Sequence, residues 1–120
     1  MQKENALHLV QEELKKCMKC GNCQAVCPIY RETKSEAHVA RGKIQLAEAV
    51  LKGDLDLTAN FNDKMFKCLL CKTCMENCPC GVQLDRVVIA AREAVVGDKG
   101  LHPVKKAIFQ VLKRPAVFDL

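Results

Sequence analysis

Residues 17–23 read Cys-Met-Lys-Cys-Gly-Asn-Cys and are followed by Cys27-Pro28. Residues 68–74 read Cys-Leu-Leu-Cys-Lys-Thr-Cys and are followed by Cys78-Pro79. Each copy has three cysteines separated by two residues, then a fourth cysteine after three more residues, with a proline directly behind it. The two copies contain eight of the nine cysteines in the 120-residue chain. This repetition indicates that the cysteines act together as ligands.

The spacing is typical of bacterial two-cluster ferredoxins, in which three cysteines bind one [4Fe–4S] cluster and the fourth binds the other. Proline fixes its own φ and lacks an N–H donor, so we expect the chain to turn away after Cys27 and Cys78 and to present them to the opposite cluster. Crossed ligation would join the two halves and keep the clusters close enough for electron transfer. The predicted ligands are Cys17, Cys20, Cys23 and Cys78 for cluster 1, and Cys68, Cys71, Cys74 and Cys27 for cluster 2.

A structural zinc site is the alternative interpretation of these cysteines. Zinc sites use four ligands, usually as two separated pairs. Here each copy offers a triplet plus one cysteine, and no histidine lies at ligand spacing from a cysteine. The pattern therefore favours two [4Fe–4S] clusters over zinc. His38 is expected to have a structural role, because ligation by histidine is confined to variants such as Rieske centres.

Cys80 is the ninth cysteine and follows Pro79 directly. We predict that it is not a ligand, because the other eight cysteines already fill the ligand places of the pattern. The alternative is that Cys80 competes with Cys78 for a cluster.

Charge and composition argue against nucleic acid as a partner. The formal net charge is +5, but an oxidised [4Fe–4S] core with four thiolates carries about −2. Two such sites bring the chain close to neutrality, and the few aromatic residues are not interleaved with a basic stretch. There is no secretory signal pattern, and the longest apolar run, residues 87–91, is too short to span a bilayer. We expect a cytoplasmic location, with contact to the inner face of a membrane only through partners.

The fold class predicted from the sequence is all-α, with helices alternating with the two cysteine loops. No alternating strand pattern bounded by hairpin turns is present. Helices are predicted behind an N-cap at Asn5, from a capping box at Thr33 and Glu36 to Gly53, from near Thr58 or Asn60 towards Cys68, from Leu84 to Val96, and from Pro103 to Pro115. Residues 97–100 are predicted to be a break.

The second of these predicted helices contains a glycine, Gly42, at a propensity cost of about 1 kcal/mol. A glycine in this position indicates either a close approach by a cluster or its loop, or plain tolerance of a surface glycine. Both interpretations are compatible with the sequence.

Together with the cysteines, the segments Ala40-Arg41-Gly42-Lys43-Ile44 and Gly81-Val82 resemble the α-helical dicluster ferredoxins over residues 14–97. The nearer resemblance is to the N-terminal domain of glycolate oxidase iron–sulfur subunits and to the iron–sulfur subunits of anaerobic glycerol-3-phosphate dehydrogenases and heterodisulfide reductases. Such members often continue into domains with Cys-Cys-Gly motifs, which this sequence lacks. Residues 1–120 are therefore expected to form one dicluster ferredoxin domain, either a fragment of a longer subunit or a small subunit whose residues 101–120 form a helix and docking tail.

The resemblance implies an electron-transfer component of an oxidoreductase complex. The expected partners are a flavoprotein dehydrogenase of the glycolate, lactate or glycerol-3-phosphate type and a downstream redox subunit, such as a quinone or disulfide reductase module. No catalytic residue is predicted, so the chain would not be an enzyme by itself. A zinc-binding module that mediates assembly is the alternative function.

The two loops differ in the residues beside their cysteines. The first contains Met18, Lys19, Gly21 and Asn22, and the second contains Leu69, Leu70, Lys72 and Thr73. A nearby lysine favours the reduced cluster. Because an apolar shell disfavours extra negative charge, the loops predict the higher reduction potential for cluster 1.

Overall fold

The computed structural model describes residues 6–114 and 116, and within these residues it contains helices and loops but no strand. The all-α fold is therefore confirmed for the described part of the chain. Asn5 and Pro115, the expected ends of two predicted helices, lie outside it. The helices are α1 (Gln11–Lys15), α2 (Asn22–Val26), α3 (Pro28–Thr33), a 3-10 helix (Glu36–His38), α4 (Ala40–Lys52), α5 (Ala59–Phe66), α6 (Thr73–Glu76), α7 (Leu84–Lys99) and α8 (Pro103–Leu112).

The core forms around α7, which packs against α4, α5 and α1. The apolar spacing of the sequence predicts six inward residues on this helix, and all six are buried: Leu84, Val87, Val88, Ala91, Ala94 and Val95. Further buried side chains come from Ile44 and Ala47 of α4 and from Phe61 and Met65 of α5. The helix predicted to begin near Thr58 or Asn60 is α5, and the Thr58 hydroxyl caps it by accepting a hydrogen bond from the backbone N–H of Phe61 at 3.2 Å.

The first predicted helix is interrupted. Residues 6–8 are helical, residues 9 and 10 form a turn, and α1 follows. Leu7, Val10 and Leu14 recur at helical spacing in the sequence, which predicts core packing, and all three are buried in the core. The side chains thus keep their helical register across the turn.

The prediction of a helix start at Thr33 is wrong. Pro28 occupies the first position of α3, and Thr33 is the last residue of that helix. The Thr33 hydroxyl donates back to the carbonyl of Ile29 at 2.8 Å, so it does not act as an N-cap. Lys34 then adopts a left-handed conformation with φ 53°, and the next α-helix begins only at Ala40.

The interpretation of Gly42 as a point of close approach is correct, but its neighbour is not a cysteine loop. A Cβ at this position would collide with the backbone carbonyl of Glu36 and lie 2.9 Å from Cα of Ala37. Gly42 is buried, so the surface-glycine alternative is wrong. The residue allows the 3-10 helix to pack directly against α4.

The C-terminal part differs from the prediction in two ways. Helix α7 continues through Gly97 to Lys99, so the predicted break is confined to Gly100, where φ is 74°. Pro103 begins α8 as predicted, but the apolar residues of this helix are exposed.

Of the helices described, none has the length and apolar character needed to cross a membrane.

The packing at Gly42 generates a stability prediction. We expect Gly42→Ala to lower the free energy of unfolding by about 1–3 kcal/mol, because the added methyl group collides with fixed backbone. The measurement is the midpoint of thermal unfolding by circular dichroism at a fixed heating rate. Gly97→Ala is the matched control, since Gly97 is exposed within α7 and should gain about 1 kcal/mol of helix propensity. An unchanged midpoint for Gly42→Ala would contradict the packing described.

Candidate metal centres

Two adjacent cavities are each lined by cysteines from both copies of the repeat. They share Ala40, Cys74 and Leu84 in their walls. Including their open mouths, the cavities have volumes of about 480 and 400 Å³. The cysteines at the larger cavity are Cys27, Cys68, Cys71 and Cys74, and those at the smaller one are Cys17, Cys20, Cys23, Cys74, Cys78 and Cys80. The fourth cysteine of each copy thus lies with the first three of the other copy.

The backbone of the two cysteine loops follows the same path. Lys19 and Leu70, which precede the second cysteine of each loop, both have positive φ, at 61° and 55°. Gly21 and Lys72, which follow that cysteine, have φ values of 83° and 65°. Where residues with positive φ lie next to residues with negative φ, successive backbone N–H groups can point into the same concavity, which favours binding of a negatively charged group. The sequence repeat is therefore also a repeat of backbone geometry.

Burial and hydrogen bonding give the thiols different acidities. Burial raises the pKa of Cys74 to about 11, and the nearby Cys68 and Cys23 sulfurs act in the same direction. Burial also raises the pKa of Cys17, although the N–H of Lys19 opposes this. The Thr73 hydroxyl, 3.4 Å from Sγ of Cys71, lowers the pKa of that thiol together with the Thr73 N–H. The buried thiols should thus lose their protons when a cationic group binds.

Arg41 of α4 holds the first cysteine loop. Its guanidinium donates to the backbone carbonyl of Lys19 at 3.1 Å and to Oε1 of Gln24 at 3.4 Å. The Glu36 carboxylate lies 2.5 Å from the same group and balances its charge. A Cβ on Gly21 would lie 2.8 Å from Nη1 of Arg41, so a glycine permits this contact.

Arg92 of α7 holds the second cysteine loop in the same manner. Its guanidinium donates to the carbonyls of Met65 at 3.0 Å and Cys68 at 2.6 Å, and it stacks on the Phe66 ring at 5.1 Å. These bonds satisfy carbonyls at the end of α5 and fix the start of the loop. Sequence reasoning missed this role of Arg92. The sequence feature that could have indicated this role is an arginine in the middle of a helix, with apolar residues in the turns before and after it.

Lys43 lies on the wall of the larger cavity and is 1% exposed. Its ammonium donates to the backbone carbonyl of His38. Burial lowers the pKa of Lys43, while the sulfurs of Cys68 and Cys27 act in the opposite direction. Sequence reasoning did not predict that this lysine is buried, because a lysine within a helix is ordinarily solvated.

His38 is buried and hydrogen-bonded within the fold, as expected for a structural residue. Its Nδ1 lies 3.3 Å from the Thr33 hydroxyl. Burial and the nearby cation of Lys64 lower the pKa of His38. The ring lines the larger cavity, and its Nε2 has no hydrogen-bond partner within the described residues. The four thiols of that cavity already match the number of ligands that a [4Fe–4S] cluster requires.

The thiols stand around the cavities and do not converge on a point. In residues 6–114 and 116, no group of three or more His, Cys, Asp or Glu side chains is arranged to hold a single metal ion. A four-iron cluster takes its thiolates at four separate corners, so it suits a ring of four cysteines around a cavity. Both cavities provide that donor set. Cys80 adds a further thiol beside Cys78 at the smaller cavity.

Comparisons with known proteins agree with iron–sulfur clusters as the cofactors. Residues 13–82 match the family described as the 4Fe-4S dicluster domain. The glycolate oxidase iron-sulfur subunit of Escherichia coli (strain K12) is 34% identical over 110 residues, which are 88% of this chain and 26% of that protein. The probable glycolate oxidase iron-sulfur subunit of Bacillus subtilis (strain 168) is 32% identical over 117 residues, 93% of this chain and 26% of that protein.

A third relative is an iron-sulfur subunit of the CoB--CoM heterodisulfide reductase of Methanopyrus kandleri, 35% identical over 78 residues, 63% of this chain and 36% of that protein. No solved structure matches. The chain thus spans 26% of the length of each of the two glycolate oxidase relatives. The family match covers more than half of the chain and both cysteine loops. The chain belongs to the 4Fe-4S dicluster domain family, and its cofactors are two [4Fe–4S] clusters.

Proposed function

We propose that this chain relays single electrons between a flavoprotein dehydrogenase and a further acceptor. The observation that carries the proposal is the pair of adjacent cysteine-lined cavities that share Cys74 in their walls. When bound, a [4Fe–4S] cluster accepts and releases one electron. The shared wall supports two centres close enough for an electron to pass between them.

The proposed ligation is crossed. Cys27 and Cys78 each follow a short helical segment and lie with the triplet of the other loop, which supports an exchange of the fourth ligand. Each cluster would then join residues from both halves of the chain. The proposed ligand sets are Cys17, Cys20, Cys23 and Cys78 for cluster 1, and Cys68, Cys71, Cys74 and Cys27 for cluster 2.

The proposed partners follow from the relatives. Their names include glycolate oxidase, lactate utilization and heterodisulfide reductase proteins, and this chain spans only part of each. We infer a flavoprotein that oxidises a hydroxy acid or a related alcohol, such as glycolate, lactate or glycerol 3-phosphate, and a quinone or disulfide reductase module as acceptor. Substrate chemistry would belong to those partners. The proposed location is the cytoplasm, with membrane contact only through partners.

Helix α8 is the proposed docking element of a single domain formed by residues 1–120. Its apolar side chains are half exposed or more, whereas the comparable residues of α7 are buried. Lys105 and Lys106 are also exposed and would favour an acidic partner surface. The exposed apolar residues of α8 are Val104, Ile108, Phe109, Val111 and Leu112.

Metal analysis tests the proposed function directly. Protein purified without oxygen should be brown and contain about eight iron atoms and about eight acid-labile sulfides per chain. Reduction of each cluster by one electron should give two signals by electron paramagnetic resonance. A colourless protein with zinc as its stoichiometric metal would support the alternative function of a structural assembly module and overturn the relay.

Serine variants test the crossed ligation. Cys27→Ser should alter the same resonance signal as Cys71→Ser, and Cys78→Ser should alter the same signal as Cys20→Ser. The control is Cys80→Ser, which should leave iron content and both signals unchanged, because Cys80 is not a proposed ligand. The crossed assignment fails if Cys27→Ser instead alters the signal affected by Cys20→Ser. Loss of one cluster in Cys80→Ser would make Cys80 a ligand.

A charge placed on α8 should weaken docking. We expect Ile108→Asp to reduce affinity for the flavoprotein at least tenfold, since burial of such a side chain contributes about 1.5–3 kcal/mol. The measurement is the concentration dependence of cluster reduction by the partner, with iron content as the check on integrity. Gln110→Asp introduces the same charge at another exposed position of α8 and is the matched control. Equal affinity for Ile108→Asp and the wild type would remove α8 from the interface.

A further inference from the structure

The side chain of Lys43 is fully buried beside the larger cavity, where Cys27, Cys68 and Cys71 also lie. Lysine is almost never fully buried unless its charge is paired, because removing an ammonium group from water is costly. Lys43 forms no ion pair with a carboxylate in the described part of the chain. Its counter-charge must therefore come from elsewhere.

The surroundings of Lys43 offer cysteine sulfur as a source of negative charge. Its ammonium donates to the carbonyl oxygen of His38, and Sγ of Cys27 lies 3.8 Å from that same oxygen. Burial is the largest influence on the pKa of Lys43 and lowers it, and Arg92 acts in the same direction, whereas the sulfurs of Cys68, Cys27 and Cys74 favour the charged form. When Cys27 is ionised, its sulfur no longer donates a hydrogen bond to the carbonyl of His38. The carbonyl oxygen of His38 then lies between the negative sulfur of Cys27 and the positive ammonium of Lys43.

We propose that Lys43 is the buried counter-charge of cluster 2 and that it raises the reduction potential of this cluster above that of cluster 1. The proposal rests on the ligand sets given under the proposed function. Reduction adds one electron, and therefore one negative charge, to a centre that is already anionic. A buried cation stabilises the reduced form more than the oxidised form, because the protein interior screens the interaction only weakly.

The cations at the smaller cavity are in different surroundings. Lys19 has a side chain that is 48% exposed and lies 3.7 Å from the Glu48 carboxylate. Arg41 is paired with Glu36 at 2.5 Å. Water and carboxylates reduce the effect of these charges on a cluster, so their contribution should be smaller than that of Lys43. The structure thus argues against the order of potentials that the loop residues alone predict.

Lys43→Met in the full chain, purified without oxygen, tests the proposal. Methionine has a similar length and no charge, and burying it avoids the cost of a buried ammonium group. Potentiometric titration with electron paramagnetic resonance should show cluster 2 at least tenfold harder to reduce, a shift of about 59 mV for one electron. The signal of cluster 2 is the one altered in Cys27→Ser. Cluster 1 is the internal reference and should move much less.

Lys72→Met and Lys43→Arg are the matched variants. Lys72 also lines the larger cavity, but its side chain is 61% exposed and lies 3.8 Å from the Asp85 carboxylate, so its removal should shift cluster 2 far less. Lys43→Arg keeps the positive charge and should keep the potential near that of the wild type.

Three outcomes would overturn the role of Lys43. The first is full iron content in Lys43→Met with an unchanged cluster 2 potential, and the second is an equal shift of both clusters. The third needs no Lys43 variant: a lower potential for cluster 2 than for cluster 1 in the wild-type protein. Failure of the proposed function is distinguishable, because it would appear as missing iron and sulfide in the wild type before any titration.

Discussion

The structure depends on the convergence of thiols from two distant parts of the chain on two adjacent cavities. Buried thiols resist ionisation, and the pKa of Cys74 rises to about 11 because burial and neighbouring sulfurs both disfavour a thiolate. Such a concentration of sulfur becomes stable only when cationic iron balances the negative charge. The apolar core around α7, which includes residues of α1, α4 and α5, holds the segments that present these thiols.

Backbone geometry and two arginines hold the cysteine loops in place. Positive φ values recur at equivalent positions, and they allow N–H groups of each loop to face the sulfurs. Arg41 and Arg92 each reach from a long helix to carbonyl groups of one loop. The loops are therefore fixed to the rigid part of the fold, which limits the structural change that accompanies a change in charge.

Local signals predicted much of the fold and failed where two signals competed. The apolar periodicity of α7 predicted this helix correctly, because burial on one helix face depends on residues that are close together in the sequence. The capping box at Thr33 was misleading, since Pro28 had already begun a helix that includes Thr33. The sequence also predicted the helix that begins at Pro103, but it did not show that the apolar residues of this helix are exposed.

The sequence by itself determined the cysteine repeat and the nature of the cofactors, because the number, spacing and duplication of the cysteines are properties of the linear chain. Only the tertiary structure decided which thiols share a cavity, which backbone approaches Gly42, and that Lys43 lies buried beside one cavity and not in solvent. These features arise from contacts between segments far apart in the chain. Burial determines the electrostatic effect of a lysine, and burial is a property of the packed molecule.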